Sequence, residues 1–131
     1  MNVKSVLWCK DKVSIPGIAL YDYESERAFQ VYCADYLRKR YEQTKERKYQ
    51  YWHHSANERE NARESFYAKM MSQQKGFPDL INCERRIVIE LKVKGRKASK
   101  KQKEVLQYFK DIKWQAEIIR SFERFRDLVE S

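Results

Sequence analysis

Apolar residues recur at helical spacing in the first half of the chain. From residue 24 to about residue 48 they return about every three to four positions, which predicts a helix with one buried stripe. The stripe consists of Phe29, Cys33, Tyr36, Leu37 and Tyr41. Glu26 lies on the same stripe, so we expect an acidic side chain to face the core near the beginning of this helix.

Shorter patterns follow along the chain. They predict strands over residues 49–54, 79–83, 86–94 and 115–120, and helices over residues 57–71 and 122–129. In the strand at 86–94, apolar side chains alternate with a set that is mostly polar and includes Glu90, Lys92 and Lys94. This period of two predicts one apolar face and one mostly polar face.

A further helix is predicted to begin after Ser99. Ser99 and Gln102 have the spacing of a capping box, and an apolar stripe follows them at Val105, Leu106, Phe109 and Ile112. Gln102 lies one turn before Leu106, so its side chain is expected to face inward. Two interpretations stay open for it: a place in a functional site, or a side chain that turns back to the Ser99 amide.

The order of elements predicts an α/β fold with a mixed β-sheet flanked by helices on both faces. The order is α-β-α-β-β-α-β-α, preceded by short strands within residues 1–20 whose role we leave open. A length of 131 residues is sufficient for one core. We therefore expect a single domain over residues 1–131, with its core at about 24–130.

Positive charge is concentrated in one run of the chain. The net charge is +9, and residues 92–103 contribute seven basic side chains and no acidic one, which leaves +2 for the remainder. Such a run is either a solvated surface or a contact for a nucleic-acid backbone. The residues that we expect to bind DNA are Lys94, Arg96, Lys97, Lys100, Lys101 and Lys103.

The remaining composition predicts a soluble, intracellular, cytoplasmic protein with no membrane contact. The longest apolar runs, such as residues 87–89, are far shorter than the ~20 residues that cross a bilayer, and the first residues do not have the pattern of a secretory signal. The three cysteines, Cys9, Cys33 and Cys83, have no CxxC spacing. We expect them to be buried thiols rather than disulfide partners or zinc ligands.

Two acidic residues and a lysine have the spacing of a phosphodiesterase site. Asp79 follows Pro78 at the beginning of one predicted strand, and Glu90 and Lys92 share a face of the next strand. If the hairpin register brings Asp79 beside Glu90, the two carboxylates can share one Mg²⁺, with the Leu91 backbone carbonyl as a further ligand. Lys92 would then orient the attacking water and stabilise the charge of the transition state.

The bland alternative for Glu90 and Lys92 is a solvated charge pair on an exposed strand face. The alternative for Glu26 is a surface acid favoured by the helix dipole. Each feature alone is unremarkable. Their joint occurrence, with an acid facing inward on the first helix and Gln102 facing inward on the helix after the lysine, favours a functional site.

These residues resemble the VRR-NUC family, a branch of the PD-(D/E)XK nuclease superfamily that includes stand-alone, often phage-encoded proteins. The resemblance extends over about residues 24–128. It rests on Ser25-Glu26, on residues 54–58, on Lys75-Gly76-Phe77-Pro78-Asp79-Leu80, on Ile89-Glu90-Leu91-Lys92 and on Ser99-Lys100-Lys101-Gln102. The chain departs from the family at residues 57–63. The corresponding loop is rich in glycine in the family, but this chain has no glycine there.

The resemblance implies a restriction-endonuclease-like fold and a role for each matched residue. Asp79 and Glu90 would be metal ligands and Lys92 the catalytic lysine, and Glu26 and Gln102 would be accessory catalytic residues. Members of the family are Mg²⁺- or Mn²⁺-dependent DNA nucleases that favour branched or flapped DNA. Its single-domain forms are similar to homodimeric Holliday-junction resolvases, so the resemblance implies a homodimer that acts on structured DNA and on no small-molecule substrate.

Two other functions stay open from the sequence. One is a non-catalytic basic module that binds DNA through the same fold. The other is a restriction-type endonuclease that recognises a defined sequence, although the chain is short for that task and shows no separate recognition segment.

Overall fold

The computed structural model of the protein describes residues 26–55 and 76–131. The strands predicted within residues 1–20 and the helix predicted over 57–71 lie outside the described residues, as does Cys9. The described helices are α1 (Glu26–Thr44), α2 (Lys100–Asp111) and α3 (Phe122–Glu130). The described strands are β1 (Trp52–His54), β2 (Leu80–Asn82), β3 (Ile87–Leu91) and β4 (Gln115–Ile119).

The four described strands form one mixed sheet in the order β1-β2-β3-β4. β2 pairs antiparallel with β1 on one side and with β3 on the other, while β3 and β4 run parallel. A parallel pair needs a crossover connection, and α2 provides it between β3 and β4. In the β2–β3 hairpin, Leu80 lies opposite Ile89.

The amphipathic stripe predicted for the first helix is confirmed in α1. Phe29, Cys33, Tyr36 and Leu37 are buried there, and Tyr41 packs partly against the same core. The helix ends at Thr44, before the predicted boundary near residue 48.

The strand predicted over residues 49–54 is wrong in its first half. Tyr49 belongs to a short 3₁₀ turn, Tyr51 has a φ of 66°, and β1 begins only at Trp52. Tyr49 is buried, and its hydroxyl donates a hydrogen bond to Glu130 near the end of α3. Tertiary contact therefore turns an aromatic segment of strand-like composition into a turn.

Helices cover both faces of the sheet, as predicted. Ile87, Ile89 and Leu91 of β3 pack in the core cluster that contains the buried residues of α1 and α3. Val88 faces the other way and packs against Leu106 and Phe109 of α2. Glu90 lies on the same face of β3 as Val88. Because α2 covers this face, every residue of β3 is buried. An exposed strand face, which would make Glu90 a solvated acid, is thereby excluded.

Two local predictions are wrong. Cys83 is exposed rather than buried, because it lies in the turn between β2 and β3. Ile112 does not extend the apolar stripe of α2; it follows the last residue of the helix and is 43% exposed. Cys33, in contrast, is a buried free thiol as expected.

Within the two described ranges, no helix combines the length and apolar character that a membrane span requires.

Candidate active site

The β2–β3 hairpin brings two buried carboxyl groups together. Asp79 immediately precedes Leu80, so the register of the hairpin places it opposite Glu90. The Leu91 backbone N–H donates a hydrogen bond of 2.7 Å to Asp79 Oδ2, which fixes the aspartate against β3. Asp79 is 3% exposed and Glu90 is 2% exposed. The sequence-based condition for a shared site, that the register aligns these two residues, is therefore met.

Lys92 lies beside this pair. Its Nζ atom is 3.8 Å from Glu90 Oε2 and 3.5 Å from Glu26 Oε2 at the beginning of α1. The Lys92 backbone N–H donates to the Ile119 carbonyl, which extends the parallel pairing one residue beyond β3 and holds the lysine in place. Lys92 is buried, unlike the other basic residues of the run. Glu26 and Lys92 thus lie together at the same end of the sheet.

Gln102 turns back to Ser99 and also contacts Glu90. Its Oε1 atom accepts a hydrogen bond from the Ser99 backbone N–H, while the Gln102 N–H donates to Ser99 Oγ, which completes the capping box. Its Nε2 group donates to Glu90 Oε2 over 3.0 Å. One amide side chain therefore caps α2 and orients the glutamate.

A close backbone approach sets the position of α2. Gly76 has a φ of +83°, and a Cβ atom at this residue would lie 3.0 Å from the backbone carbonyl carbon of Lys101. Only glycine adopts this conformation without strain and also leaves room for the helix. Gly76 therefore allows the first turn of α2 to lie against the segment that leads into Pro78 and Asp79, and this places Gln102 within reach of Glu90.

Burial dominates the electrostatics of the carboxyl pair. Removal from water raises the pKa of Glu90, and the negative charge of Asp79 raises it further, although Lys92 opposes the shift. Burial also raises the pKa of Asp79, against the lowering effect of the hydrogen bond from Leu91. A protonated Glu90 is close enough to donate a hydrogen bond to Asp79. Without a further cation, the pair therefore retains a proton well above the usual carboxyl range.

One oxygen of the pair has no hydrogen-bond donor among the described residues when Glu90 is ionised. Glu90 Oε1 is buried and accepts no hydrogen bond from a described residue, an arrangement that costs free energy for an ionised carboxylate. Two adjacent carboxylates with an unsatisfied oxygen fit the hard oxygen ligands that Mg²⁺ prefers. Among residues 26–55 and 76–131, no group of three or more His, Cys, Asp or Glu side chains is arranged to hold a metal ion. A cation at this pair would therefore complete its coordination with backbone and water oxygens.

All six basic residues predicted to contact DNA are exposed. They lie on the segment that connects β3 to α2 and on the first turn of α2, directly after Lys92 in the chain. They are Lys94, Arg96, Lys97, Lys100, Lys101 and Lys103. The chain thus passes from the buried site at Glu90 and Lys92 directly into an exposed basic segment.

Two contacts at this site were not predicted. The Leu91 backbone N–H holds Asp79, whereas sequence reasoning considered only the Leu91 carbonyl. Cys33 lies near enough to Asp79 that, in addition to burial, the aspartate charge raises the pKa of the thiol. The buried stripe of α1 gave a signal for the burial of Cys33, but only the packing of α1 on the sheet reveals its neighbour.

A solved structure described as "VRR_NUC domain protein" superposes on the chain with a TM-score of 0.59. The two sequences are 20% identical, and the match covers 77% of this chain and 84% of that chain. The chain therefore has the fold of a VRR_NUC domain protein, which confirms the fold class predicted from the sequence. No protein-family model matches the chain, and no curated protein matches it in sequence.

Proposed function

We propose that the protein is a VRR-NUC nuclease that hydrolyses phosphodiester bonds of DNA with the help of Mg²⁺ or Mn²⁺. The observation that carries the proposal is the buried pair of Asp79 and Glu90, with Lys92 Nζ 3.8 Å from the glutamate. When Glu90 is ionised, its buried Oε1 atom lacks a hydrogen-bond donor among the described residues. An inert fold gains nothing from two adjacent buried carboxyl groups, because their desolvation and mutual repulsion oppose folding. The fold shared with the VRR_NUC domain protein supports the same function.

The chain's own residues divide the work of hydrolysis. Asp79, Glu90 and the Leu91 carbonyl would hold the divalent cation, which supplies Lewis-acid stabilisation of the phosphate charge when bound. The Lys92 ammonium orients the attacking water and stabilises the negative charge that grows on the phosphoryl oxygens. As the water oxygen bonds to phosphorus, the water loses a proton to solvent. The ester bond breaks, and the departing oxygen takes a proton from solvent.

Glu26 and Gln102 act through the residues that they contact. Glu26 lies 3.5 Å from Lys92 Nζ and directs the ammonium toward the carboxyl pair. Gln102 holds Glu90 Oε2 through a donated hydrogen bond and leaves Oε1 free for a cation. Both are therefore positioning residues in this mechanism.

Lysine and arginine side chains on the surface beside the site would bind the DNA strand. Contacts from such residues go mainly to phosphates and carry little base information. The exposed basic segment between β3 and α2 therefore predicts binding that depends weakly on sequence and strongly on salt. This feature favours a structure-selective enzyme over a restriction-type enzyme that recognises a defined sequence.

Cleavage assays test this function directly. We expect purified protein to cut labelled four-way-junction or flap DNA in Mg²⁺ or Mn²⁺ and to leave it intact in EDTA, and to cut linear duplex DNA of the same sequence more slowly. Cleavage that persists in EDTA would contradict metal-dependent hydrolysis. Binding of all substrates without cleavage in any metal would instead identify a non-catalytic DNA-binding module.

We also propose that the protein is a homodimer, because a twofold assembly suits branched DNA. A four-way junction has paired strands, and a twofold assembly presents two active sites to them. We expect sedimentation at micromolar concentration to show a dimer and junction cuts to occur in symmetric pairs. A monomer that nicks single positions would contradict the resolvase-like activity but would be compatible with nuclease activity.

A further inference from the structure

The parallel pair β3–β4 ends in a basic pocket beside Lys92. The pocket is lined by Lys94, Gly95, Arg96, Lys97, Arg120 and Ser121 and has a volume of about 450 Å³. Its residues come from the two chain segments that leave the sheet: the turn after β3 and the junction between β4 and α3. The sequence predicts DNA contact for Lys94, Arg96 and Lys97 but indicates no role for Arg120 and Ser121.

Backbone hydrogen bonds and a glycine define the shape of this pocket. The Arg96 N–H donates to the Val93 carbonyl over 3.1 Å and closes a tight turn. Gly95 occupies the turn with a φ of +86°, as the third position of a type II turn requires. A Cβ atom on Gly95 would meet nothing within 4 Å, so the turn has open space above it.

Arg120 connects the two sides of the pocket. Its Nη1 group donates to the carbonyl of Arg96 and, over 3.4 Å, to the carbonyl of Val93. An arginine has five N–H donors, so Arg120 holds the turn and keeps donors for a ligand. The guanidinium thereby fixes the direction in which the basic turn faces.

The charge of the pocket is not neutralised from within the described part of the chain. No acidic residue lines it, and none of Lys94, Arg96, Lys97 and Arg120 forms an ion pair with a described carboxylate. Ser121 Oγ accepts a hydrogen bond from the Arg124 N–H, which leaves its own O–H available as a donor. Four cationic side chains and a hydroxyl donor are complementary to a phosphate group.

The position of the pocket bears on which phosphate-bearing ligand it suits. Val93, whose carbonyl Arg120 contacts, follows Lys92 directly, and the Lys92 N–H is bonded to Ile119, the residue before Arg120. The pocket therefore lies just beyond Lys92, at the same end of the sheet. It is also continuous in the chain with the basic first turn of α2. A continuous strand fits this arrangement better than an isolated small anion.

We propose that this pocket binds a backbone phosphate of the DNA strand next to the bond that is cut, with Arg120 as an anchoring residue. The proposal rests on the proposed nuclease function, which supplies the strand. It adds that the strand enters or leaves the site over the ends of β3 and β4. Productive alignment of the strand at Lys92 then depends on a residue about thirty positions later in the chain.

Salt-dependent DNA binding in EDTA tests this pocket without relying on cleavage. We expect Arg120→Gln and Arg96→Gln each to weaken binding of a fluorescein-labelled DNA duplex several-fold and to lower the slope of log Kd against log salt by about one unit. Arg86→Gln is the matched control, because Arg86 is exposed and lies in the turn before β3, at the opposite end of that strand. Its slope is expected to equal that of the wild type.

The outcomes separate the pocket from the nuclease function. Unchanged slopes in Arg96→Gln and Arg120→Gln, with wild-type melting temperatures, would overturn the pocket even if the wild type cuts DNA. If Arg120→Gln fails to fold because the turn loses its anchor, Arg96→Gln decides alone, since the Arg96 side chain makes no hydrogen bond or ion pair with a described residue. Inorganic phosphate that protects the wild type from thermal unfolding while both variants bind DNA normally would identify a small-anion site and overturn the strand proposal. Absence of cleavage by the wild type would overturn the nuclease function and leave the binding result to stand by itself.

Discussion

Replacing Lys92 by methionine is expected to lower the rate of DNA cleavage about 10²- to 10³-fold, the usual effect of removing one group that stabilises transition-state charge. Methionine has a similar length and packs well in a buried position. The substitution therefore removes the ammonium and preserves the shape of the site. Single-turnover cleavage of a labelled junction in Mn²⁺ measures the effect, with DNA affinity measured separately in EDTA.

The matched control for this variant is Lys113→Met. Lys113 is exposed in the turn between α2 and β4 and is not part of the proposed site. We expect its cleavage rate to equal that of the wild type. A Lys92→Met protein that is folded, binds DNA and cuts at the wild-type rate would remove Lys92 from the mechanism.

The second large effect concerns stability: Glu90→Gln is expected to stabilise the metal-free protein by about 1 to 3 kcal/mol at pH about 8. Glutamine reproduces the protonated form of Glu90, because its amide can donate to Asp79 while its carbonyl accepts from Gln102. The wild type must instead either retain a proton or bury a second negative charge.

The pH dependence gives the sign of this effect. Burial and the charge of Asp79 raise the pKa of folded Glu90 above its value in the unfolded chain. The contribution of the protonated pair is therefore fully present below the unfolded pKa of about 4.3 and is lost as the pH rises through the folded pKa. The stability advantage of Glu90→Gln should thus disappear near pH 4 and grow toward alkaline pH.

Urea unfolding in EDTA at several pH values measures this dependence. The control is Glu104→Gln, since Glu104 is exposed on α2, and we expect its stability relative to the wild type to change little with pH. An advantage of Glu90→Gln that stays constant from pH about 4 to 8 would show that Glu90 titrates normally. Glu90→Gln is also expected to lose cleavage activity, because it removes a proposed metal ligand.

The sequence predicted much of this architecture because period and capping are local signals. The stripe of α1, the helix that begins after Ser99 and the order β3-α2-β4-α3 all follow from spacing within about ten to twenty residues. The segment around Tyr49 was assigned incorrectly because its aromatic composition favours a strand. Its conformation is set by a contact with Glu130 at the far end of the chain.

The candidate site was predictable to the extent that it depends on strand register. A hairpin between residues 79 and 90 aligns Asp79 with Glu90 once the turn length is fixed, and alternation then places Lys92 on the face of Glu90. Burial of that face was not predictable from β3 alone, because α2 provides the cover. The close approach of Gly76 to Lys101 and the reach of Arg120 to the turn after β3 likewise depend on packing between distant segments.

Metal binding tests the central claim most directly, because the mechanism requires Asp79 and Glu90 to hold one divalent cation between them. Titration of the protein with Mn²⁺, followed by electron paramagnetic resonance of the free ion, measures this in the absence of DNA. We predict one Mn²⁺ per chain for the wild type, much weaker binding for Glu90→Gln and unchanged binding for Glu104→Gln. Wild-type Mn²⁺ affinity in folded Glu90→Gln would contradict the claim, because the buried pair would then not be the metal site.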